Sequence, residues 1–131
     1  MNKATGGAPL PQVERGGRRR AQRAVFWLAI TVAFVVAIWP KPIMVPGGPS
    51  DKIQHVLAFL TLTALGSAAY PRGAALKLGL GLAGFGALIE VVQALPALNR
   101  DAELLDWIAD VAAVAVVLLA VGLWRRMGPQ A

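Results

Sequence analysis

Four apolar blocks, each near the length of a membrane-spanning helix, constrain this chain more than any other feature. They run roughly over 24–39, 53–70, 74–95 and 104–124 of 131 residues. About 20 helical residues, within a range of 17–25, cross the hydrocarbon core of a bilayer. A soluble domain of this size would need a polar surface, yet 56% of residues are hydrophobic and only 15% charged. No block alternates as a barrel strand would, and helices satisfy their own backbone groups in lipid. The expectation is an all-α, integral membrane four-helix bundle.

The segments between the blocks fit that plan. Residues 1–23, rich in Gly, Pro and Arg, read as a flexible basic arm. The first block is longer than a usual signal-peptide core, and no Ala-x-Ala site precedes Pro40-Lys41-Pro42, so it reads as an uncleaved helix. That block is short for a span, so Arg23 and Lys41 are expected to snorkel. Pro40, Pro42, Pro46, Gly47, Gly48 and Pro49 should keep the first loop extended. Pro71-Arg72-Gly73 should turn tightly, and Pro96 to Glu103 should make the third connection. Ser50 or Asp51 is placed to cap the second helix. Residues 125–131 form a short tail.

Basic residues orient the bundle. With the amino terminus in the cytoplasm, the inner side carries Lys3, Arg15, Arg18, Arg19, Arg20, Arg23, Arg72, Lys77, Arg125 and Arg126. The outer side carries only Lys41, Lys52 and Arg100. Ten against three predicts both termini inside a multi-pass protein of the inner (cytoplasmic) membrane. Trp27, Trp39, Tyr70, Trp107 and Trp124 fall near block ends, where amphipathic rings are favoured. The net charge of +6 does not point to nucleic acid, because six of thirteen basic residues precede Ala24 and flank the first block.

The acids divide the other way: Glu14 is inside, whereas Asp51, Glu90, Asp101, Glu103, Asp106 and Asp110 lie toward the outside. Acids carry little topogenic weight, so this bias has another cause. Asp51 and His55 share a face of helix two, Glu90 and Gln93 one of helix three, and Asp106 and Asp110 one of helix four. At 1.5 Å rise per residue, His55, Glu90 and Asp110 reach a common depth, roughly a turn to a turn and a half below the outer surface. Each group also has a structural reading: Asp51 as a cap, Asp106 as a wetted interfacial acid, His55 as a bond to a neighbouring helix. Glu90 follows twelve uncharged residues, where an unpartnered charge is costly. It continues a stripe of small residues, Gly79, Ala83 and Gly86, which should face the bundle. Its structural partner would be Arg100 or Lys52.

No cysteine is present, which removes disulfides, iron–sulfur clusters and thiolate metal sites. Nothing signals haem or flavin. His55 is the single histidine, so a metal, if any, would be a divalent cation held mainly by carboxylates. Phosphate loops, His-Glu-x-x-His and nucleophile–base pairs are missing. Gly79, Gly81, Gly84 and Gly86 read as helix packing. Acid–base chemistry would fall to His55, Glu90 and Asp106, with Asp51, Lys52, Gln93, Arg100 and Asp110 as binding groups.

Three motifs in order, Asp51-Lys52-x-x-His55-x-x-x-Phe59, Glu90-x-x-Gln93, and Arg100 followed by Asp106, resemble the VanZ-like family of small membrane proteins. The likeness covers residues 51 to about 122, with the first block in the place of the family's leading helix. Asp110 stands where the family usually has Asn, and Ala113 where Gly is common. The resemblance implies a cell-envelope protein; the family is named for a member linked to reduced teicoplanin susceptibility. The function expected is recognition or modification of an anionic lipid or lipid-linked headgroup at the outer leaflet, with membrane lipids as partners. The rivals are a non-enzymatic membrane partner whose polar groups fix helix register, and a small transporter, which intramembrane acids permit.

Overall fold

The computed structural model describes residues 12–40, 46–48 and 50–128, and of 12–14 only the backbone. Four helices follow in order: α1 (Gln12–Ala37), α2 (Asp51–Ala69), α3 (Ala75–Gln93) and α4 (Leu104–Met127). Single 3-10 turns at Arg72–Ala74 and Pro96–Leu98 sit in the second and third connections, where the prolines predict breaks. The Ser50 side chain accepts from the Ile53 backbone N–H and caps α2, as its position predicts. Residues 41–45 and 49 of the first loop, including Lys41, lie outside the described residues, as do 1–11 and 129–131.

One boundary differs. The expected arm is helical from Gln12 onward, so Arg15, Arg18, Arg19, Arg20 and Arg23 ride on α1 ahead of its apolar part. Arg, Gln, Glu and Ala propagate a helix well once an adjoining segment has nucleated it. Gly16 and Gly17 add too small a penalty to stop it.

Three helical stretches are long and apolar enough to cross a membrane: Arg15–Ala37, Arg72–Gln93 and Leu104–Met127. The expected fourth, α2, is not among them. Its 19 residues reach about 29 Å, so length is not the reason. Its composition is: Lys52, Gln54, His55, Thr61, Thr63 and Ser67 interrupt the apolar run. The packing accounts for that tolerance. α2 touches each of the other three helices, and His55, Phe59, Leu62, Thr63, Gly66, Ser67 and Ala69 are buried along it. Thr61 and Thr63 donate to the carbonyls of Leu57 and Phe59, one turn back. The buried face of α2 keeps His55, Thr63 and Ser67 off the outer surface, while Ile53 and Leu57 face outward.

Around α2 the small-residue stripe of α3 does what its spacing predicts. A Cβ on Gly86 would meet Phe59 and Trp107 at 3.2 Å, and one on Gly79 would meet Leu118 at 3.0 Å. Trp107 closes over the stripe, its indole N–H donating to the Ala83 carbonyl at 2.9 Å. Gly81 and Gly84 are different: nothing lies within 4 Å of a Cβ at either, so these two do not serve packing. The core runs from Phe26 through Phe59, Leu62, Leu82 and Ile89 to Ala113 and Val114. Outward positions are apolar on all four helices, including Leu28, Ile53, Leu57, Leu76, Leu80, Val91, Leu105, Val116 and Leu119.

The connections leave two chemically distinct ends. One, the acidic end, gathers Asp51, Glu90, Glu103, Asp106 and Asp110. At the other, the basic end, Tyr70 accepts from the Trp27 indole at 3.0 Å, and the Arg23 guanidinium lies 5.2 Å from the Tyr70 ring centroid.

Candidate functional site

The acidic end is built by helix ends that the loops hold together. Its outer layer is paired. Arg100, from the third connection, donates from one nitrogen to both carboxylate oxygens of Asp51 at 3.3 Å. The Arg100 side chain is only 3% exposed. Lys52 reaches across to α4, 3.0 Å from Asp106 and 3.4 Å from Glu103.

Two predicted site residues hold the fold together. Gln93 is buried and donates to the Ala37 carbonyl at 2.8 Å. Ala37 ends α1, and the last carbonyls of a helix have no partner within it, so Gln93 supplies a C-terminal cap from another helix. Its amide N–H is thus engaged in a bond between α3 and α1. Glu90 pairs with neither Arg100 nor Lys52: one carboxylate oxygen accepts from the backbone N–H of Glu103, the N-cap of α4, at 2.9 Å. Glu103 and Trp107 were not candidates from spacing, although Glu103 stands immediately before the first turn of α4, where a cap is expected.

Beneath this layer lies an incompletely paired group. His55 Nδ1 is 3.6 Å from an Asp110 carboxylate oxygen, an ion-pair distance but longer than a formed hydrogen bond. Both imidazole nitrogens, both Asp110 oxygens, the second Glu90 oxygen and Asp106 Oδ1 are buried without a hydrogen-bond partner, Asp106 having only its ion pair with Lys52. Asp110 is 1% exposed. Glu90 interacts electrostatically with His55, Asp106 and Asp110, which puts α2, α3 and α4 in one coupled cluster. Each unpaired buried polar group costs about 1–3 kcal/mol. A concentration of them in one place is what a fold tolerates where polar chemistry is needed.

A cavity of about 70 Å³ opens beside the cluster, walled by Ala33, Ala37, Asp51, His55, Phe59 and Arg100 among others. His55 lines it, whereas Asp110 does not and so stands behind the ring. Glu90 and Asp106 are also absent from the wall. The five groups expected to line one pocket therefore divide: Asp51 and His55 line the cavity, and Glu90, Asp106 and Asp110 do not. Among the described residues no group of three or more His, Asp or Glu side chains is placed to hold a metal ion. What the arrangement can do is move a proton at His55, with Asp110 fixing the ring and Arg100 supplying positive charge.

No protein-family model, no curated protein and no solved structure matches this chain.

Proposed function

We propose that this chain is a VanZ-like multi-pass protein of the cytoplasmic membrane, with both termini inside and the His55 site facing outward. Its task is to recognise or modify an anionic lipid or lipid-linked headgroup at the outer leaflet. The observation that carries this reading is the placement of His55 at the cavity with Asp110 behind it. Around that pair Arg100 is matched with Asp51, and Lys52 with Glu103 and Asp106. His55 acts as general acid or base on a headgroup hydroxyl or a water. Asp110 orients the imidazole, a role in which a loose contact tightens when the ligand is bound. Lys52 and Arg100 attract the anionic headgroup, which shares Arg100 with Asp51 on arrival. Glu90 supports the cluster from α3.

Membrane integration rests on three long apolar helices with apolar outward faces, larger than the patches monomeric soluble proteins expose. The polar α2 crosses with them because His55, Thr63 and Ser67 are buried against the other helices while Ile53 and Leu57 face outward. Orientation rests on the ten-to-three distribution of basic residues. Reporter fusions after Pro46 and at Asn99 should read outside, and fusions after Arg72 and at Arg126 inside. A cytoplasmic signal at Asn99 rejects the four-span topology.

The site is tested with Glu90→Gln and His55→Asn against whatever envelope defect deletion of the gene produces. In Glu90→Gln the new amide oxygen can still accept from the Glu103 N–H, so abundance in the membrane should stay near wild type. Complementation should nonetheless fall at least tenfold in both variants. Normal abundance with full complementation by both removes the site. That outcome favours a second reading, in which the polar groups fix helix register; the Gln93–Ala37 and Glu90–Glu103 bonds are its support.

A further inference from the structure

The basic end holds a cavity that the acidic-end site does not use. It measures about 290 Å³ and is walled by α2, the Arg72–Ala74 turn, the start of α3 and the end of α4. Arg72, Arg125 and Arg126 all line it, and no Asp or Glu does. Two of these arginines are held in place by carbonyls. Arg125 donates to the Ser67 carbonyl, and Arg72 donates to the Arg125 carbonyl at 3.1 Å. Each guanidinium carries five N–H donors, so most remain for a ligand. The Ser67 side chain lines the same space; it is 6% exposed, and its hydroxyl has no hydrogen-bond partner. Positioned guanidinium groups and a buried hydroxyl with no acid among them make a receptor for a phosphate oxyanion.

The remaining wall identifies the rest of the ligand. Leu78, Leu118 and Val121 make the cavity's side apolar. Tyr70, Ala74 and Leu78 are shared with an adjoining groove of about 330 Å³, lined by Phe26, Trp27, Leu82 and Phe85. Phosphate recognition beside a largely apolar groove at a helix-bundle end fits a phospholipid. We infer that the basic end binds the phosphate of an anionic phospholipid of the inner leaflet, between Arg72, Arg125, Arg126 and Ser67. This rests on the membrane orientation proposed above, but not on any activity at His55.

The test uses the full chain in lipid nanodiscs of phosphatidylcholine with or without phosphatidylglycerol, with retained lipid read by native mass spectrometry after release into detergent. Carbonate extraction of cell membranes is run in parallel. A chain extracted as soluble protein fails the membrane reading, and the lipid site with it; a chain that stays in the pellet leaves the lipid site to be judged alone. Wild type should retain phosphatidylglycerol over phosphatidylcholine. Arg72→Gln and Arg126→Gln should each weaken retention about fivefold, as a surface cation near lipid is expected to. Ser67→Ala separates binding from packing. Removing an unpartnered buried hydroxyl should leave the melting temperature equal or higher, yet retention should fall. Gly122→Leu offers a variant that folds: a Cβ there meets nothing within 4 Å, and Gly122 lines the cavity, so the side chain should block the lipid without disturbing the helices. Equal retention of both lipids, or unchanged retention in the arginine variants and Gly122→Leu, overturns the proposal. Competition by millimolar inorganic phosphate that removes all retained phosphatidylglycerol overturns the lipid as its source.

Discussion

Asp110→Leu should destabilise the bundle by roughly 3–5 kcal/mol, because it removes the carboxylate 3.6 Å from His55 and leaves that buried imidazole without its ion-pair partner. His55→Leu should act in the same direction. The double replacement should then recover most of the loss, ending near or above wild-type stability, since two leucines meet across α2 and α4 without desolvated polar atoms. Function should not recover with it. Thermal unfolding of the purified protein in detergent, with complementation of a deletion strain, reads both quantities on the same three variants. A fully stable and fully active double variant would make His55 and Asp110 dispensable and end the case for chemistry at that pair. A double variant no better than either single one would mean that the two residues do not interact.

The second large effect concerns shape. Gly86→Leu should cost about 1–3 kcal/mol or more, because α3 would have to withdraw from Phe59 and Trp107, both at 3.2 Å from a Cβ there. Gly84→Leu, two residues earlier on the same helix, meets open space and should be neutral or slightly stabilising through its better helix propensity. Melting curves of the two variants side by side decide the matter. Equal melting temperatures would show that close approach at Gly86 contributes nothing. If both variants fell together, leucine at this depth of α3 would be at fault and not the contact with Phe59.

The contrast between those glycines marks where the sequence is readable. Gly79, Ala83, Gly86 and Glu90 recur at helical spacing, so their common face and its inward direction follow from geometry alone. Gly81 and Gly84 sit in the same apolar run, and only the surrounding helices reveal that nothing packs on them. The same division holds at the acidic end. His55, Glu90 and Asp110 could be placed at one depth by counting residues from the helix starts. Their partners could not: Arg100 with Asp51, Lys52 with Asp106 and Gln93 with Ala37 join residues about 50 positions apart, and no local spacing encodes such pairs. Gln93 shows the cost of that gap, since an amide three residues after Glu90 reads as a site neighbour until the end of α1 appears beside it. Arg72 and Arg125 were legible only as topogenic charges, because the cavity between them exists only once α2, α3 and α4 have met.

The central position of α2 has a consequence for biosynthesis. A segment carrying Lys52, His55 and several hydroxyls has less reason to partition into lipid by itself than α3 or α4, which follow it from the ribosome. Its entry is therefore expected to depend on neighbours. A chain truncated after Tyr70 would present α2 with α1 alone, without α3 and α4, which also pack on it. The complete chain supplies α3 and α4 late, so on the membrane reading proposed above insertion and assembly should be a single coupled event and not a succession of independent spans.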